Sequence, residues 1–192
     1  MLRILALVGV ISTVALFTFL LVFAFTGGNT RNPDELDQIG FADTADAICE
    51  QHQNAILALT PAQDVATPAE RADVLDEANE ILADMIAALR VDVEGRDVVD
   101  DLPDARSNSL SPADQAVVDA GTLSAEDKRN LDQWLRDHEL YLADRQNHSM
   151  RLRDEGDVRF LVTAKGTSQV SEAVDGFARV NDMENCAVPL DL

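Results

Sequence analysis

The chain is poor in the residues from which active sites are most often recognised. It has three histidines, two cysteines, one tryptophan and one tyrosine. His52, His138 and His148 stand in no H-E-x-x-H or other zinc-type spacing. No G-x-S-x-G, P-loop or G-x-G-x-x-G pattern occurs. The sequence therefore nominates no catalytic residue, no metal site and no cofactor. Asp137-His138-Glu139 is a charged triplet, but successive helical residues point in different directions and do not converge on one atom. Lysine is nearly absent: only Lys128 and Lys165 occur, and the other basic residues are arginines.

Positive charge is scarce overall. Fifteen Lys and Arg face 35 Asp and Glu, for a net charge of −20. Such a chain repels nucleic acid and anionic headgroups, so nucleic-acid binding is set aside. Against this background Arg145, His148, Arg151, Arg153, Arg159 and Lys165 form a basic stretch. Pairing with acids on neighbouring helices accounts for it most simply, and a site for an anionic partner or ligand is the functional alternative.

What the chain does have is one long run without charge, Ile4 to Phe25. Roughly 20 apolar residues at about 1.5 Å each cross a bilayer core. The run is too long and too apolar all round for a core helix. It also ends without the small-residue pattern of a cleavage site, although a cut near Gly27 or Gly28 is the competing expectation. An uncleaved signal anchor is favoured. Arg3 on the short side, with Arg31 but also Asp34, Glu35 and Asp37 on the other, places the N-terminus in the cytoplasm and the domain outside. Gly9 and Thr13 form a small-xxx-small pair of the kind found at helix–helix contacts.

The expected organisation is a cytoplasmic N-terminus (1–3), a transmembrane anchor (4–26), a flexible Gly- and Pro-containing stalk (27–40) and an exported helical domain (41–192). In an exported domain the even cysteine count reads as one disulfide, Cys49–Cys186, near the two ends of that domain.

Helix signals are strong. A first helix opens near Asp43 or Thr44, with Phe41 as a staple residue, and stops at Pro61. Thr67-Pro68-Ala69-Glu70 is a capping box with proline at the first helical position, and this second helix runs to about Arg90. Residues 91–122 carry eight acids and read as a solvated connection, with Ser111-Pro112 able to open a short helix. Ser124 caps a long third helix that Gly156 ends. Residues 159–166 read as an extended link or a small hairpin, and a last helix begins after Thr167 or Ser168. The expected fold is all-α: a transmembrane helix plus an antiparallel three- or four-helix bundle closed by one disulfide. Trp134 and Tyr141 lie a turn or two apart and form a core seam. With Arg145 they are also the candidate ligand or partner face.

The start Asp46-Ala47-Ile48-Cys49-Glu50, then Trp134-Leu135 followed by Tyr141-Leu142-Ala143-Asp144-Arg145, and finally Asp175-Gly176-Phe177-Ala178 with Asn181, Met183, Cys186, Ala187 and Pro189 carry a resemblance. Over most of the soluble part the chain resembles membrane-anchored actinobacterial proteins with no assigned activity. That likeness implies an envelope location and the same cysteine pairing, and the 91–122 connection is long by comparison. The functional expectation is a non-enzymatic envelope module, with a single membrane span, that binds a protein partner. The alternative is an extracytoplasmic ligand-binding or sensor domain acting through a membrane partner, since only Met1, Leu2 and Arg3 are expected inside. An enzyme ranks third.

Overall fold

The computed structural model describes residues 32–100 and 110–189. The expected anchor (4–26), with Gly9 and Thr13, and the first part of the expected stalk lie outside the described residues. Among the described residues, no helix is long and apolar enough to cross a membrane.

The described chain is mostly helical. Helix α1 spans Ile39–Leu57, α2 Pro68–Glu94, α3 Pro112–Asp119, α4 Ala125–Glu155 and α5 Val170–Val180. Short 3-10 turns occupy Ala62–Asp64 and Glu184–Cys186. The strands are two residues each. β1 (Val98–Val99) pairs in parallel with β2 (Leu123–Ser124), and β3 (Ala164–Lys165) pairs antiparallel with β4 (Ser168–Gln169). The second pair is the small hairpin expected from the sequence, turned through Gly166 at φ +62°.

The caps explain most boundaries. Thr67 accepts from the Glu70 backbone N–H while Glu70 returns a bond to the Thr67 N–H, so the capping box is complete. Ser111 and Ser124 each accept from the amide three residues on. Pro61 lies beyond the end of α1, and Gly156, at φ +84°, ends α4 in a backbone region that favours glycine.

Three expected boundaries are corrected. First, α1 starts at Ile39, capped by Gln38, whose Oε1 accepts from the Gly40 N–H at 2.9 Å. Phe41 is therefore a buried helix residue and not a staple outside the cap. Second, α2 continues past Arg90 to Glu94, because Val93 is fully buried and another turn of apolar contact outweighs a local stop signal. Third, the end of the expected stalk belongs to the domain. Leu36 and Gln38 are buried. The Leu36 N–H donates to Asn181 Oδ1 at 2.8 Å, and the Asp37 N–H donates to Asp127 Oδ1 at 3.0 Å. The compact unit begins at Asp34.

Helices α2 and α4 form the central pair. Arg90 bonds Glu139, Asn79 bonds Arg145, Asp76 bonds Ser149 and Asp73 bonds Arg153, so one helix descends as the other ascends and the two run antiparallel. Helix α1 packs on α2, and α5 packs on α4. The main core gathers Phe41, Leu82, Met85, Leu89, Leu131, Trp134 and Leu135 from three helices. A second, small cluster of Ala62, Ala72, Leu75 and Leu152 lies apart from it. The Cys49–Cys186 disulfide, with Cα atoms 5.0 Å apart across 137 residues, ties the 3-10 turn near the C-terminus to α1 and closes the bundle-like fold.

Candidate functional site

Helix α4 presents one inward stripe at three- and four-residue spacing: Trp134, His138, Tyr141, Arg145, His148 and Leu152 are all buried. The stripe is not chemically uniform. Its first half is aromatic. Trp134 stacks on Phe177 with centroids 5.3 Å apart, donates from Nε1 to the Val174 carbonyl at 3.3 Å, and meets the edge of His138 at 4.7 Å. His138 is completely buried, and neither ring nitrogen has a hydrogen-bond partner. Burial holds its pKa down at about 3, so the ring is neutral.

The second half is polar. Arg145 is completely buried, donates from Nε to Asn79 Oδ1 at 2.7 Å, and lies 5.9 Å from the Tyr141 ring centre. Ser149 donates to Asp76 at 2.5 Å. His148 packs against Phe160 at 5.2 Å, and its pKa is lowered by burial and then by the positive charges of Arg151, Arg145 and Arg71.

The expected face of Trp134, Tyr141 and Arg145 is thus turned inward. All three are buried, and they share none of the described clefts: the one that reaches Trp134 includes neither Tyr141 nor Arg145. The core-seam reading of Trp134 and Tyr141 is what the packing shows. Three of the six residues in the basic stretch pair with acids. Arg153 meets Asp73 and Asp76, Arg151 meets Glu155 on its own helix, and Lys165 meets Asp137. The triplet 137–139 diverges, with Asp137 toward a cleft, His138 in the core and Glu139 on Arg90.

Two clefts adjoin the stripe at different places. The first, of about 360 Å³, is walled by Trp134, Asp137, Lys165, Glu172, Gly176 and Phe177 among others. The Asp137 carboxylate is nearly buried. It accepts from Gln133 Nε2 at 3.0 Å and pairs with Lys165 across the β3–β4 hairpin. Gly176 sits inside α5 without a positive φ, and a Cβ built there meets no described atom within 4 Å. The second cleft, of about 340 Å³, is lined by Arg71, Leu75, His148, Leu152 and Val158 with Ala62 and Gln63. A larger opening of about 850 Å³ lies between the end of α2, α3 and the start of α1. Its one guanidinium, Arg96, is already held by Asp92 and the Gly121 carbonyl.

Sequence reasoning set Asp137 aside with its triplet, held Lys165 only as part of the basic stretch, and missed Gly176 and Arg71 as site residues. The first two meet only through the hairpin, 28 residues apart. The one available signal was Gly176, a glycine inside an otherwise regular helical pattern. No group of His, Cys, Asp and Glu among the described residues is arranged to hold a metal ion. Comparisons with protein-family models, with curated proteins and with solved structures find no match.

Proposed function

We propose that this chain is a membrane-anchored extracytoplasmic helical module, tethered through residues 4–26, whose domain binds a protein partner in the cell envelope. The charge-free run Ile4 to Phe25 supports the tether. The Cys49–Cys186 bond supports an oxidising compartment, because disulfides are rare where thiols are kept reduced.

The observation that carries partner binding is Gly176. Glycine inside a helix costs about 1 kcal/mol relative to alanine. Neither backbone conformation nor a described neighbour requires it here. It lies in the wall of the Trp134 cleft beside the Asp137–Lys165 pair, where a partner side chain or backbone would approach closely. The cleft wall carries more acid than base, through Asp34, Asp137 and Glu172 against Lys165, which suits a partner offering a cationic group.

The test is crosslinking of the full chain in its membrane, followed by identification of what co-purifies. A specific partner captured by the natural chain and lost with Gly176→Leu is the expected result. Recovery of no specific partner, or equal capture by Gly176→Leu, overturns the reading. A second reading, a ligand-binding domain that signals through a membrane partner, is favoured by the cleft at Arg71 and His148.

A further inference from the structure

Residues 34–38, which precede α1, lie against the domain, and three buried polar side chains hold them there. Asn181, at the end of α5, accepts from the Leu36 N–H at 2.8 Å and donates to the Asp34 carbonyl at 2.9 Å. Gln38 donates from Nε2 to the Val118 and Thr122 carbonyls at 3.0 and 3.1 Å. Asp127, in the first turn of α4, accepts from the Asp37 N–H at 3.0 Å. Two of these three clasps are neutral amides. The third is a carboxylate that is 1% exposed.

That carboxylate is incompletely satisfied. Oδ1 takes the Asp37 amide, while Oδ2 is buried with no hydrogen-bond partner. Burying an ionised carboxylate in this way is costly, and burying its neutral form costs far less. The surrounding groups act in both directions. The segment itself brings the Asp37 carboxylate, a like charge. Ser124, just before α4, offers hydrogen bonds that favour the ionised form, as does the N-terminus of α4. Glu126 on the same turn is exposed, and Lys128, the nearest base in sequence, is held by Asp132. Burial is the largest influence, and the Asp127 pKa is raised from its ordinary value.

We propose that residues 34–38 form a pH-sensitive strap, held more tightly when Asp127 is protonated and less tightly when it is ionised. The clasped strap buries Asp127 and a released strap exposes it, so the clasped form keeps its proton to higher pH. Release is favoured as pH rises through the raised pKa. Clasping is favoured as pH falls toward the ordinary aspartate value of about 3.9. The strap also bears on the Trp134 cleft, because Asp34 stands in the wall of that cleft. Loosening the strap opens this wall. The device itself depends on neither the membrane tether nor the partner reading.

The test is hydrogen exchange of the detergent-solubilised full chain from pH 7.5 to pH 4.5, corrected for the intrinsic exchange rate and read on the fragment holding Leu36 and Asp37. Protection should rise as pH falls, by at most about tenfold per pH unit, the limit for one proton. A core fragment around Leu131 and Leu135 should not follow, since His138 acts on global stability in the opposite direction. Asp127→Asn keeps an oxygen for the Asp37 N–H without the charge. It should be as protected at pH 7.5 as the natural chain is at pH 4.5, with no further rise. Asp37→Asn removes the like charge and should move the rise to lower pH. Protection that is flat or falls as pH is lowered overturns the proposal. So does an equal rise in Asp127→Asn or in the core fragment.

Discussion

The two halves of helix α4 answer to different rules. Around Trp134 and Leu135 the stripe faces the main core, which draws side chains from α1, α2 and α5. From Arg145 onward it faces polar groups and a satellite cluster of four buried residues. The two buried histidines show the contrast. His138 sits edge-on to Trp134 with both nitrogens unpartnered among the described residues, and it lines none of the described clefts. His148, ten residues on, lines a cleft among three arginines. The same residue type on the same face is enclosed by apolar packing in one half and left beside space in the other. Stability is concentrated in the first half, and the more ligand-like chemistry lies in the second.

The largest expected effect belongs to the closed half. The disulfide joins α1 to the turn at Glu184–Cys186 across 137 residues. Closing so long a loop contributes up to about 5 kcal/mol in the chain-entropy model. Cys49→Ser with Cys186→Ser, or reduction alone, should lower the denaturation midpoint more than any substitution at the Arg71 cleft. Equal losses from Arg71→Gln would erase the distinction between the halves. A mass increase on reduction and alkylation reports the bond directly.

A smaller and pH-dependent effect follows from His138. Its folded pKa, about 3, lies below the unfolded value of about 6.5. Above pH 6.5 both states are neutral at this ring and it adds no pH dependence. Below pH 6.5 the unfolded chain gains a proton that the folded chain refuses, so stability falls until about pH 3. The slope is at most about 1.4 kcal/mol per pH unit. Carboxylates contribute over the same range, so the informative quantity is the difference from His138→Met. That variant should match or exceed the natural chain at pH 7.5, since it removes two unpartnered nitrogens, and should lose less stability from pH 6.5 to pH 4. Parallel curves for the two proteins would mean that water or a proton reaches His138, and the closed half would not be closed.

Much of the fold was legible where the signal is local. Thr67, Ser124 and Gly156 act on groups within a few residues, and the expected ends of α2 and α4 that depend on them match. The boundaries that moved depend on distant partners. Gln38 caps α1 while its amide donates to the Val118 and Thr122 carbonyls, more than 75 positions along the chain. Val93 prolongs α2 because it is buried by the rest of the bundle. The stripe on α4 was visible as periodicity, but periodicity does not say what faces it. Trp134 and Tyr141 were correctly placed in a core seam. The clefts were not legible, because each is a gap between elements and no residue pattern encodes a gap.

Gly176 is the exception, and it gives the smallest and most discriminating prediction. It lies on α5, against the aromatic half of α4, in the wall of the Trp134 cleft. If that half is closed as a whole, a glycine there is a defect with no compensation. Gly176→Ala places a methyl group where no described atom lies within 4 Å and removes the helix penalty of glycine. The variant should therefore be more stable by about 0.5–1 kcal/mol, read from the denaturation midpoint at unchanged slope. A gain in stability accompanied by weaker partner capture would mean that the chain keeps the glycine for an occupant of the Trp134 cleft, and that the closed half has one deliberate opening. A loss of stability would make Gly176 a packing requirement of the fold, and the case for a partner at that cleft would lose the observation that carries it.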